Sequence, residues 1–155
     1  MPNAADLQFY ILHGKEERYL EYKRSMIWTG NDTTKVKIAK AMMAMANLRN
    51  GGVIVIGMQE TNRGMWVPEV MTRQQISSFT QDDVAQWVND YATPAVQFIL
   101  GAFVLNGNEF VIIQVQEFDT SPPFFGVTPN IFLAMLPHLH TISLCFTGIG
   151  CLPLF

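Results

Sequence analysis

Four β-branched residues in a row, Val53, Ile54, Val55 and Ile56, follow Asn50-Gly51-Gly52, and here a helical hydrophobic period gives way to a strand. Upstream, Val36, Ala39, Met43 and Ala46 recur on one side of a helical period, with Ile38, Met42 and Met45 beside them. The spacing predicts a helix that closes on Ala44-Met45-Ala46-Asn47, with Asn31 to Thr33 offering its N-cap. Core packing is the simplest use of this methionine-rich face, and a lipid or partner groove is the other. Asn50, Gly51 and Gly52 can take the positive φ that a helix stop and a tight reversal require. The unbroken apolar run after them predicts a buried central strand. Gly57-Met58-Gln59-Glu60 then delivers a carboxylate close to where that strand leaves the sheet.

Other segments read as follows. Leu20 to Arg24 alternates, so a strand there places Leu20 and Tyr22 towards the core and Glu21 beside Lys23 on the opposite face. That pair is either a surface ion pair on an edge strand or part of a site. Trp28 to Asp32 is polar enough for a loop, Thr61 to Gly64 is a turn, and Met65 to Val67 is a short strand stopped by Pro68. Thr80-Gln81-Asp82-Asp83 has the form of a capping box, followed at helical spacing by Val84, Trp87, Val88 and Tyr91 until Pro94. Trp87 and Tyr91 are expected in the core, with base stacking as the alternative. Val96 to Leu105 and Glu109 to Glu117, joined by Asn106-Gly107-Asn108, predict a hairpin with one fully apolar face, Val111, Ile113 and Val115. Ser121-Pro122-Pro123-Phe124 breaks the sheet. The whole predicts an α/β fold of the α+β type: a mixed, mostly antiparallel sheet with two main helices.

Composition refines this picture. The 155 residues suit one ordinary domain, and their hydrophobic content of 49% excludes a disordered chain. The net charge of −3 conceals an asymmetry. Up to Arg73 there are ten bases and seven acids; beyond it there are six acids and no base. A basic N-terminal half can meet a polyanion, or simply be a solvated surface. The first residues lack a secretory pattern, which predicts a cytoplasmic protein with reduced thiols. Cys145 and Cys151, with His138 and His140, do not have the spacing of a zinc finger or ribbon. Gly51-Gly52 precedes its strand and is no phosphate loop, so ATP binding has no support. Thr120 to Phe155 contains no charged side chain. A span of this length could cross a bilayer, where roughly 20 residues suffice. Pro137, His138, His140, Gly148, Gly150 and Pro153 interrupt it, however, so a membrane is not the preferred partner. A buried terminal element and a truncated or out-of-frame end are the other two readings of residues 127–155.

The order Glu16, Glu21, Lys23, then Ala44, Ala46, Asn47, then Gly51 to Glu60 resembles the Schlafen-type, AlbA-like domain. Tyr22 stands where that family usually has phenylalanine, Met58 where it has valine and Glu60 where it has aspartate. The similarity covers residues 13–126, which makes residues 1–126 the expected domain; its later tyrosine-valine-arginine strand is missing. The resemblance implies binding of DNA or RNA without a cofactor. Phosphate contacts would come from Lys15, Arg18, Lys23, Arg24, Lys35, Lys37, Lys40, Arg49 and Arg63, with Lys23 foremost. It also implies an alternative, a metal-dependent endoribonuclease in which Glu16, Glu21 and Glu60 hold Mg²⁺ or Mn²⁺. A third reading is an interaction or regulatory module of a larger system. A homodimer would lengthen the basic groove.

Overall fold

The computed structural model describes residues 4–29, 32–118 and 124–125. Asn31, the Ser121-Pro122-Pro123 break and the apolar stretch 127–155, with its cysteines and histidines, lie outside the described residues. In chain order the elements are α1 (Ala4–His13), β1 (Leu20–Lys23), α2 (Asp32–Ala46), β2 (Gly52–Ile56), β3 (Met58–Glu60), β4 (Trp66–Pro68), α3 (Arg73–Ser77), α4 (Gln81–Asn89), β5 (Ala92–Thr93), β6 (Phe98–Leu105), β7 (Asn108–Val115) and β8 (Phe124–Phe125).

The main sheet has the order β1-β2-β7-β6. Strands β1 and β2 are parallel and joined by a crossover that contains α2, whereas β7 runs antiparallel to both β2 and β6. This is the mixed, mostly antiparallel sheet that the pattern predicts. Two small antiparallel pairs, β3-β4 and β5-β8, flank it. Asn106 (φ 51°) and Gly107 (φ 81°) close the β6-β7 hairpin, and positive φ at both central residues is the turn that matches strand twist.

Every residue of β2 is buried, because both faces of the sheet are covered. On one face Ile54, Ile56, Val111, Ile113 and Val115 pack with Ile38, Met42 and Met45 of α2 and with Val84 and Val88 of α4. On the other, Leu20, Tyr22, Val53, Val55, Phe110 and Ile112 meet Ile11 of α1 and Met58. Phe110 and Ile112, expected on the mixed face of the hairpin, are therefore core residues of a second layer. The two expected helices are α2 and α4, and α1 and the short α3 add to them. Helix α1 exposes Phe9 (53%) and Leu12 (58%), so its apolar residues form no clean stripe, and α3 has only five residues. Trp87 packs edge-on against Trp28, 6.0 Å between ring centres, and against Tyr91 at 5.0 Å, which makes it part of the aromatic core.

Two glycines shape the centre. Gly51 (φ 70°) turns the chain from α2 into β2 so tightly that an added Cβ would stand 2.0 Å from the Val115 carbonyl oxygen. Gly57 (φ 106°) lets the chain leave β2 beneath Met71 and enter β3. Among the described residues no helix is long and apolar enough to cross a membrane.

Candidate functional site

The sequence motifs converge on β1, an outer strand whose free edge carries the backbone groups of Leu20 and Tyr22. Tyr19 and Lys23 turn their carbonyls the other way, to the N–H groups of Val53 and Gly57. The free edge is closed group by group. Leu20 exchanges two backbone hydrogen bonds with Glu17, of 2.9 and 3.1 Å. Glu16 Oε1 accepts from the Tyr22 N–H at 3.1 Å. Lys23 Nζ donates to the Tyr22 carbonyl at 3.2 Å and is paired with the Glu21 carboxylate. Charged side chains thus occupy the positions that a further strand would take.

The Tyr22 ring runs inward from this edge. Its hydroxyl donates to the Tyr10 carbonyl (2.5 Å) and accepts from the Gly14 N–H (3.1 Å), tying α1 to the sheet. Burial pushes the phenol above its ordinary value, so it remains a donor. Phenylalanine at this position keeps the ring but removes the partner of the buried Gly14 N–H and of the half-buried Tyr10 carbonyl. Tyr22→Phe is expected to cost about 1–3 kcal/mol, measured by urea unfolding.

The three carboxylates implied by the resemblance are not assembled. Glu16 serves the Tyr22 amide and Glu21 serves Lys23. Glu60 is exposed on β3 opposite Trp66, whose N–H faces away to the Gly14 carbonyl, so β4 lies between Glu60 and the segment leading to Glu16. Among the described residues no group of three His, Cys, Asp or Glu side chains is placed to hold a metal ion. Glu16 and Glu21 are each engaged by other partners in this arrangement, and no step through a metal is derived from it.

The cations fall into two sets. Lys23 is engaged as above, and Arg24 pairs with Glu69, Nη2 to Oε1 at 2.9 Å. The rest, Lys15, Arg18, Lys35, Lys37, Lys40, Arg49 and Arg63, have no ion-pair partner among the described residues. Lys35 Nζ lies over the Trp28 ring, 5.3 Å from its centre. Lys37 is exposed and Lys40 half-buried; three residues apart, they share one face of α2, about 5 Å apart along its axis. All three lysines lie in the first two-thirds of α2, and its last turn has no base. Lys15 and Arg18 are exposed before β1, Arg49 after α2, and Arg63 in the β3-β4 turn.

Burial alone would raise the Glu69 carboxyl, but hydrogen bonds from Arg24 and the Ser25 N–H (2.8 Å) outweigh it and hold the group below its ordinary value. A depressed carboxyl contributes stability that is full above its unfolded value. That contribution begins to fail as pH falls below about 4.3 and is lost on passing through the folded value. The advantage of the native chain over Glu69→Gln should therefore be present at neutral pH and vanish in acid, as read from urea midpoints along a pH series.

A family model described as Schlafen, AlbA_2 matches residues 16–132, well over half of the chain. No curated protein matches. Among solved structures, the N-terminal domain of an ATP-dependent DNA helicase RecG-related protein from Nitrosomonas europaea superposes with a TM-score of 0.58 at 20% identity, covering 83% of each chain. At that identity the likeness is one of fold. The DIP2311 protein of Corynebacterium diphtheriae gives 0.49 at 16% identity, over 78% of this chain and 23% of its own.

Proposed function

The chain belongs to the Schlafen AlbA_2 family, and we propose that it binds nucleic acid through its phosphate backbone, with the lysines of α2 at the centre of the contact. One observation carries this reading: Lys35, Lys37 and Lys40 lie within six residues of one another on α2, and none has a carboxylate partner among the described residues. Lys35 rests on the Trp28 ring, but Lys37 and Lys40 have no ion-pair partner among the described residues, and an anionic backbone supplies one. Lys15, Arg18, Arg49 and Arg63 extend the contact. Lys23 is secondary, since an ammonium has three donors and two already serve Glu21 and the Tyr22 carbonyl. Arg24 is likewise held by Glu69. That a domain of this fold begins a protein related to a DNA helicase is in keeping with such a partner.

The metal-dependent endoribonuclease is the weaker reading, because Glu16 and Glu21 have other partners. Labelled single-stranded RNA and duplex DNA titrated with the full chain, at two salt concentrations with and without Mn²⁺, test both. Salt-sensitive binding with intact strands is expected. Absence of binding at low salt would overturn the proposal, and Mn²⁺-dependent shortening abolished by Glu21→Ala would replace it with the nuclease.

A further inference from the structure

The sheet has two outer strands, and they are treated differently. Strand β1 is closed along its free edge by Glu16, Glu17 and Lys23. Strand β6 is closed only at its start, where the Gln81 side chain donates to the Phe98 carbonyl (3.0 Å) and accepts from the Leu100 N–H (2.8 Å). Backbone groups alternate along a strand, so those of Ala102 and Val104 point to this same edge. Among the described residues they have no partner. The sequence of β6, Phe-Ile-Leu-Gly-Ala-Phe-Val-Leu, contains no charge, proline or polar side chain to discourage pairing, and Val104 is 59% exposed.

We propose that β6 pairs with β6 of a second copy of this chain, antiparallel, with Phe103 opposite Phe103. This goes beyond nucleic-acid binding and does not depend on it. The register is selected by what the edge offers. It joins the N–H and C=O of Ala102 to those of Val104 in the second copy, and the reverse, so these four groups, unpaired among the described residues, are satisfied and Gln81 stays in place. Side chains match as well. Gly101, above which a Cβ would meet nothing within 4 Å, faces Leu105 of the second copy, and exposed Ala102 faces Val104. The contact is self-complementary and closes on a two-fold axis, and because the β1 edges are locked the assembly stops at two. The two four-stranded sheets become one.

Sedimentation velocity of the full chain over a concentration series, with amide exchange read at Ala102 and Val104, tests this. A shift from monomer to dimer and no further is expected, with both amides slowing as concentration rises. Val104→Lys and Ala102→Pro should each raise the dissociation constant at least about tenfold, while Val70→Lys, on another exposed site (76%), leaves it unchanged. Slow exchange at Val55 verifies that each variant is folded. A monomer throughout, a dimer indifferent to both β6 variants, or protection of the two amides that does not vary with concentration would overturn the proposal; the last would mean that another part of the same chain covers the edge.

Discussion

Gly51→Ala is expected to destabilise the chain by about 3 kcal/mol or more, a large share of the roughly 5–15 kcal/mol that holds a domain folded. Two costs add. The φ of 70° is a left-handed conformation that costs an L-residue roughly 1–2 kcal/mol. The new methyl would also stand 2.0 Å from the Val115 carbonyl oxygen, a backbone atom that cannot swing aside as a side chain could. Val115 pairs with Gly52 in the β2-β7 ladder, so relief must come from opening the end of the central strand pair. Urea unfolding followed by circular dichroism measures the loss. Asn50→Gly is the contrast: Asn50 also has positive φ (71°), and glycine adopts it freely, so a change of only a few tenths of a kcal/mol is expected. A Gly51→Ala chain as stable as the native one would mean that the α2-β2 turn is not built as described.

Charge reversal on α2 separates binding from stability. Lys37→Glu with Lys40→Glu removes two phosphate contacts and replaces them with repulsion, and a rise in the dissociation constant for duplex DNA of about a hundredfold is expected at low salt. The fold should not suffer, because neither lysine belongs to the buried core and glutamate forms helix about as well as lysine. A nearly unchanged unfolding midpoint, beside the collapse in affinity, is the expected pair of results. Loss of both together would mark the lysines as structural.

The sequence made α2, the turn at Asn50-Gly51, buried β2 and the β6-β7 hairpin legible, because in each the period, the turn chemistry and the burial agree. Helix α1 was not legible, since its apolar residues face both Tyr22 and solvent and its place is set by a hydrogen bond from Tyr22 to Tyr10, twelve residues away. The same is true of Gln81, whose amide closes the start of β6 from a helix seventeen residues upstream. The candidate site was legible as a set of residues but not as a set of roles. Side-by-side spacing on β1 predicts that Glu21 and Lys23 meet, and they do. Spacing carries no information about backbone groups at a free edge, and those groups claim Glu16 and a second donor of Lys23.

The central claim is that unpaired cations of α2, and not the β1 carboxylates, meet the nucleic acid. The most direct test is the dependence of duplex DNA affinity on salt for the native chain, for Lys37→Ala with Lys40→Ala, and for Glu16→Gln. Each phosphate contact contributes about 0.9 to the slope of log affinity against log salt, so the lysine pair should lower that slope by about 1.8. Glu16→Gln should leave it unchanged. A slope unaffected by the lysine pair, or a native affinity that does not respond to salt, would contradict the account.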